Sequence, residues 1–217
     1  MTDTETFQLA LANETATAHL MADLALLIGA GDVVTLSGDL GAGKTAAARA
    51  MIRYLADDDG LEVPSPTFTL AQVYDLPPFP LIHADLYRIG DASELEEIGL
   101  APMPEATVVL MEWPERAAGA LPADRIDIAF SHRPALGSTA RAAEITGHGK
   151  AAALVARLHA LREFLAMPVA RRYSGGQDIH AACGMLQALG NDGKDSQNNK
   201  PNQRVQVTGA PAPDPQR

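Results

Sequence analysis

The chain has 217 residues, 47% of them hydrophobic, enough for one ordinary domain with its own core and some chain to spare. Asp and Glu outnumber Lys and Arg by 27 to 17, and the resulting net charge of -10 has the wrong sign for broad attraction to a phosphate backbone, so any contact with nucleic acid is expected to be indirect. Cys183 is the single cysteine and excludes an internal disulfide, while the apolar-leaning stretch 20–28 is broken by Asp23 and lacks a basic leader and a cleavage site, so a cytoplasmic protein without membrane association is expected.

Residues 13–28 carry apolar side chains at Leu20, Met21, Leu24, Leu27 and Ile28, with Asn13 or Thr15 as cap and Gly29 as stop, and predict an amphipathic helix. The β-rich run 33–36 follows, then a glycine loop, then an Ala-rich helical segment to about Leu55. Two β-like runs, 68–74 and 81–84, are separated by too few residues for a crossover helix and predict an antiparallel hairpin. A short helix is expected over 91–98, capped by Asp91 or Ser93, and a strand over 107–111 leads into turns around Trp113 and Pro114. Residues 125–130 and 141–146 read as two more strands at the sheet edge, and 150–165 as a closing helix. From about Arg171 the chain is rich in Gly, Asn, Gln, Pro and Lys with little apolar periodicity, which predicts disorder or a linker. The expected architecture is α/β and P-loop NTPase-like, a mixed parallel and antiparallel sheet flanked by helices with a disordered C-terminal tail: domain 1–150, helix 151–170, tail 171–217.

The segment GDLGAGKT, residues 38–45, has the form of a phosphate-binding loop between a strand and a helix. Gly38, Gly41 and Gly43 let backbone N–H groups wrap around phosphate oxygens, Lys44 reaches the β- and γ-phosphates, and the Thr45 hydroxyl is placed to ligate Mg²⁺. The following helix aims its positive N-terminal end at the anion. Chance would produce such a pattern on the order of 1% of the time in a chain of ordinary glycine content. Turnover further needs carboxylates at neighbouring strand ends, and Glu112 and Asp85 stand there, although either alone would also pass as a solvated strand-end acid. Thr67, in SPTF, is a γ-phosphate-sensing hydroxyl or a Pro-constrained turn residue. Arg88 and Arg116 are charge-stabilising arginines or exposed ion-pair partners. Trp113 reads first as cover for the sheet edge, with stacking near a nucleotide as the alternative. His83 has no second His or Cys at ligand spacing, and reads as a half-buried strand histidine with no metal.

GDLGAGKT (38–45), SPTF (65–68), HADLYR (83–88), ELEEIGL (94–100) and MEWPER (111–116) together resemble, in order and spacing, the TsaE (YjeE) family over roughly residues 5–150. That family is the ATPase subunit of the bacterial machinery that makes N6-threonylcarbamoyladenosine at position 37 of tRNAs reading codons that begin with A. The resemblance implies a Mg²⁺-dependent ATPase, weak alone and stimulated by partners, that resets a complex with the TsaD transferase and its TsaB partner and meets tRNA only through them. It implies ATP bound by Gly38, Gly41, Ala42, Gly43, Lys44, Thr45 and Ala46, Mg²⁺ held by Thr45 and Glu112, Asp85 as a catalytic or water-positioning acid, and Thr67 as a switch-like catalytic threonine. It also sets Glu14–Thr17 beside the base, where a helix N-cap is the simpler reading. Two features depart from the family pattern. Its Gly-Arg pair near the C-terminal hairpin is here Gly137-Ser138, with Arg133 and Arg141 the nearest arginines, and the chain runs well past the usual end of the family, where some bacteria fuse a phosphotransferase-like domain.

A P-loop small-molecule kinase is the competing enzyme reading. It is weakened because 57–85, where an arginine-bearing lid would lie, contains no Arg. A nucleotide-gated binding module, in which occupancy matters and hydrolysis does not, is the non-enzymatic alternative.

Overall fold

The computed structural model describes residues 4–91, 93–117, 119–166 and 207–209. Its elements in chain order are β1 (Thr4–Leu11), α1 (Glu14–Ala25), β2 (Val33–Ser37), α2 (Lys44–Ala56), β3 (Ala71–Asp75), β4 (Pro80–Asp85), α3 (Glu94–Glu97), β5 (Val108–Glu112), β6 (Arg125–His132), β7 (Arg141–His148), α4 (Ala151–Ala166) and β8 (Val207–Gly209). The strands form one mixed sheet in the order β1-β7-β6-β2-β5-β4-β3-β8. Strand β2 runs parallel to both β5 and β6, β4 runs parallel to β5, and the β3–β4, β6–β7 and β1–β7 pairs are antiparallel. The α/β reading with a mixed sheet is the observed fold.

Period-two alternation decides which side chains meet the helices. Val34 and Leu36 of β2, Val108 and Leu110 of β5, Ile126, Ile128 and Phe130 of β6, and Ala143 and Ile145 of β7 share one core with Leu20, Met21 and Leu24 of α1 and Ala47, Ala48, Met51 and Ile52 of α2. Val155 and Leu158 of α4 join it. The opposite parity, Val33, Val109, Met111 and Ala84, packs with Leu86, Ile89, Leu95 and Leu100 into a second core around α3.

The structure differs from the sequence reading in five places. Strand β1 had no counterpart in that reading, although Phe7, Leu9 and Leu11 alternate with polar or small residues and pack on the first core. The strand expected at 68–74 begins at Ala71, because Pro66–Leu70 makes a tight turn in which the Leu70 N–H donates to the Pro66 carbonyl at 2.6 Å and Leu70 has φ 62°. Strands β6 and β7 are interior and not at the edge: β6 pairs with β2, and β1 covers the far side of β7. Helix α1 stops at Ala25, ahead of Gly29, and Asn13 is its cap, accepting from the Ala16 N–H at 2.9 Å. Helix α3 is a single turn, Glu94–Glu97, instead of a helix over 91–98. The expected tail 171–217 lies outside the described residues except at 207–209, where β8 pairs antiparallel with β3.

Candidate functional site

Five loops converge at one end of the sheet: the glycine loop after β2, the 65–70 turn before β3, and the connections after β4, β5 and β6. Parallel pairing of β2, β4, β5 and β6 brings their C-terminal ends together there, the end at which open α/β sheets place ligands.

Gly38 opens the glycine loop against the backbone of β6. Its φ is 129°, and a Cβ there would sit 2.3 Å from the Phe130 carbonyl oxygen, so only glycine lets β2 turn this close to its neighbour. Helix α2 then starts at Lys44, and its first amides face the mouth of the loop.

Lys44 is 95% buried, and its Nζ donates to the Gly38 and Asp39 carbonyls at 2.6 and 2.9 Å while lying 3.6 Å from the centre of the Trp113 ring. Burial lowers its pKa below the usual 10.5, opposed by the carboxylates of Glu112, Glu115, Asp85 and Asp39. Trp113 therefore does more than cover the sheet edge: with φ 60° and its N–H on the Leu36 carbonyl at 3.1 Å, it turns its ring onto the loop lysine.

Strand parity puts His83 and Asp85 of β4 and Glu112 of β5 on the helix side of the sheet, with Asp85 and Glu112 in register. Both carboxylates are almost fully buried and both are hydrogen-bonded, as buried charge requires. The Thr45 hydroxyl donates to Glu112 Oε2 at 2.8 Å, and His83 Nε2 lies 2.9 Å from Glu112 Oε1. His83 is fully buried, its Nδ1 has no partner, and so the neutral tautomer with the proton on Nε2, donating to Glu112, is the one that leaves no buried N–H unpaired. The half-buried strand histidine of the sequence reading is thus corrected: His83 is the residue that orients Glu112, and its position two residues before Asp85 on the same face was the signal for it.

Asp85 is held in a second set of bonds. Thr67 Oγ1 donates to its Oδ2 at 2.5 Å, Ser65 Oγ stands 3.3 Å from the same oxygen and 2.6 Å from Thr67 Oγ1, and the Tyr87 N–H donates to Oδ1 at 3.0 Å. Thr67 is thus tied to Asp85 by its side chain, beyond the backbone constraint of Pro66. Arg88 and Arg116 lie over aromatic rings, Arg88 at 5.3 Å from Phe68 and Arg116 at 5.9 Å from Tyr87. Gly41, Ala42, Gly43 and Ala46 lie in the loop and the first turn of α2 as their spacing implies, and Glu14–Thr17 form the first turn of α1 behind the Asn13 cap. Arg141, at the start of β7 and one of the two arginines nearest the missing Gly-Arg pair, donates to the Ala42 and Gly41 carbonyls of the loop.

The donor set fits a small hard cation paired with a phosphate. Among the described residues no group of three or more His, Cys, Asp or Glu could hold a metal alone. Mg²⁺ requires none, since it takes one or two protein oxygens and completes its shell with water and phosphate, and the Thr45 and Glu112 oxygens stand together at the loop's base. Among the described residues no helix is long and apolar enough to cross a membrane.

Comparison with known proteins points to one family. A family model described as "Threonylcarbamoyl adenosine biosynthesis protein TsaE" matches residues 11–141. A tRNA threonylcarbamoyladenosine biosynthesis protein TsaE of Rickettsia bellii is 35% identical over 56% of this chain and 83% of its own length. Its counterpart in Rickettsia prowazekii is 40% identical over 39% of this chain, which spans 58% of that relative. The crystal structure of Bacillus subtilus YdiB superposes with a TM-score of 0.59 at 27% identity, covering 74% of this chain and 98% of that one.

Proposed function

The chain belongs to the TsaE family of threonylcarbamoyl adenosine biosynthesis proteins, and from that premise we propose that it is a Mg²⁺-dependent ATPase required for N6-threonylcarbamoyladenosine formation at A37 of tRNA, acting in the cytoplasm with TsaB and TsaD. The observation that carries the reading is the 2.8 Å contact of Thr45 Oγ1 with Glu112 Oε2 at the base of the glycine loop, backed by His83.

In this reading the loop amides and the α2 N-terminus bind the phosphate oxygens of ATP. Lys44, whose Nζ lies 3.6 Å from the centre of the Trp113 ring, exchanges its bonds to the Gly38 and Asp39 carbonyls for bonds to the β- and γ-phosphates. Thr45 and Glu112 would hold Mg²⁺, which when bound would neutralise the charge that builds on the transferred phosphoryl group. Each carboxylate oxygen carries two lone pairs, so Asp85 Oδ1, used once by the Tyr87 N–H, keeps one for the attacking water. Thr67 and Ser65 anchor the other oxygen, and an aligned water then attacks the γ-phosphorus in line, giving ADP and phosphate. The acidic charge suits a subunit that touches protein and leaves tRNA to its partners.

The test is a reconstitution with TsaB, TsaD and substrate tRNA, counting modified tRNA per protein while ATP hydrolysis is followed. Hydrolysis that rises with the partners and repeated modification lost in Glu112→Ala support the reading. Modification that continues unchanged in Glu112→Ala while nucleotide still binds would instead favour a nucleotide-gated module.

A further inference from the structure

Arg141 is the first residue of β7 and shares the parity of Ala143 and Ile145, the side of the sheet on which α2 and the glycine loop lie. Its guanidinium spends its donors on backbone carbonyls: Nε on Ala42 at 3.1 Å, Nη2 on Gly41 at 3.3 Å, and Nη1 on Ser138 and Ala140 at 3.0 Å each. One planar group thus joins two carbonyls of the loop to two carbonyls of the β6–β7 hairpin end. A guanidinium has five N–H groups in a rigid fork and no acceptor, which suits a junction made only of carbonyls.

The consequence follows from peptide geometry. Each peptide unit is planar and trans, so fixing a carbonyl oxygen on one side fixes the N–H of the next residue on the other. The Ala42 carbonyl belongs to the unit that carries the Gly43 N–H, at the N-terminus of α2. The Gly41 carbonyl belongs to the unit that carries the Ala42 N–H, which itself donates to the Asp39 carbonyl at 3.0 Å, so that unit is gripped from both sides. Gly41 has φ 77° with nothing within 4 Å of the place a Cβ would take, so side-chain packing does not hold it.

We infer that Arg141 is a positioning residue that fixes the orientation of the 41–42 and 42–43 peptides from outside the loop, and so pre-forms the phosphate cradle before nucleotide arrives. The role rests on the reading that the loop binds nucleotide phosphates. It differs from that of an arginine that reaches into a site and touches the γ-phosphate, because it acts on backbone that serves ADP and ATP alike.

The experiment compares wild type, Arg141→Ala and Arg141→Lys by calorimetric titration with Mg²⁺-ADP and Mg²⁺-ATP, and by amide hydrogen exchange over residues 38–46 without nucleotide. Arg141→Ala is expected to lose affinity for both nucleotides by a similar factor, on the order of tenfold, with faster exchange in the loop. Arg141→Lys recovers only part of this, since an ammonium cannot bridge four carbonyls as a planar fork does. Unchanged affinity and exchange in Arg141→Ala would overturn the inference, as would a loss confined to ATP, which marks direct contact with the γ-phosphate. If wild type binds neither nucleotide, the nucleotide reading fails by itself. The exchange comparison still decides whether Arg141 orders the loop, and should Arg141→Ala not fold, Arg141→Lys carries both measurements.

Discussion

Replacing Gly38 by alanine perturbs the junction on which the site is built. The added Cβ would meet the Phe130 carbonyl oxygen at 2.3 Å and the Ala42 Cβ at 3.2 Å, with the backbone at φ 129°. The Phe130 oxygen belongs to the main chain of β6, so no rotamer relieves the contact and the loop or the strand must retreat until the separation exceeds 3.0 Å. Overpacking of this kind costs about 1–3 kcal/mol and a side chain in that backbone region about 1–3 kcal/mol more, which sets the expected loss near 4 kcal/mol. With a urea dependence of roughly 2 kcal/mol per molar, the unfolding midpoint falls by about 2 M. Two other glycines calibrate the scale. Gly41→Ala, at φ 77° in open space, meets backbone strain alone, about 1 kcal/mol. Gly29→Ala, with open space and no positive φ, stays within about 0.5 kcal/mol of wild type. Urea unfolding of the three variants should rank 38 above 41 above 29. A Gly38→Ala loss below about 1 kcal/mol, or no larger than that of Gly29→Ala, would refute the close approach of β2 and β6 described above.

His83→Leu removes the Nε2 bond to Glu112 and leaves a buried carboxylate with Thr45 alone, so stability falls by about 2 kcal/mol, and a double-mutant cycle with Glu112→Leu returns a coupling of about 1–3 kcal/mol; strictly additive losses would contradict the pairing. Thr67→Val leaves Asp85 Oδ2 with only the longer Ser65 bond, and single-turnover hydrolysis is expected to slow by roughly tenfold or more with nucleotide affinity held within about twofold, whereas an equal loss of both would place Thr67 in binding. Burial pushes the Tyr74 phenol up to about 12, partly offset by Arg49, from an unfolded value near 10. The unfolded chain therefore gives up this proton first. The stability Tyr74 contributes is intact below about pH 10 and lost as pH climbs toward 12, which urea unfolding at pH 9 and about pH 11.5 would show as a pH slope reduced in Tyr74→Phe.

Much of the site was legible because its signals are local. Gly38–Thr45 announced itself by glycine spacing, and Asp85 and Glu112 by their place at the ends of apolar strands. What escaped depended on geometry across the chain. His83 became an orienting residue only once the parallel β4–β5 register set it on the face of Glu112, though its parity with Asp85 was visible. Arg141 was singled out beside the missing Gly-Arg pair, but its partner was not, because Ala42 lies 99 residues away and only the antiparallel return of β7 carries the guanidinium to the loop. The interior placement of β6 and β7 was misjudged because a strand's neighbours are not written in its own alternation, and β1 was passed over although Phe7, Leu9 and Leu11 alternate clearly. The end of α1 was set too late because Leu27 and Ile28 extend the apolar pattern into the turn after the helix.

In the proposed function, Thr45 and Glu112 together hold the metal with which this loop hydrolyses ATP. The most direct measurement is Mg²⁺ titration of ATP hydrolysis and of nucleotide affinity for wild type, Thr45→Ala and Glu112→Gln, each with partner proteins present. Both variants are expected to bind nucleotide without metal much as wild type does, and to lose Mg²⁺-dependent tightening and turnover by similar factors. Mg²⁺ dependence that survives intact in both variants would contradict that assignment.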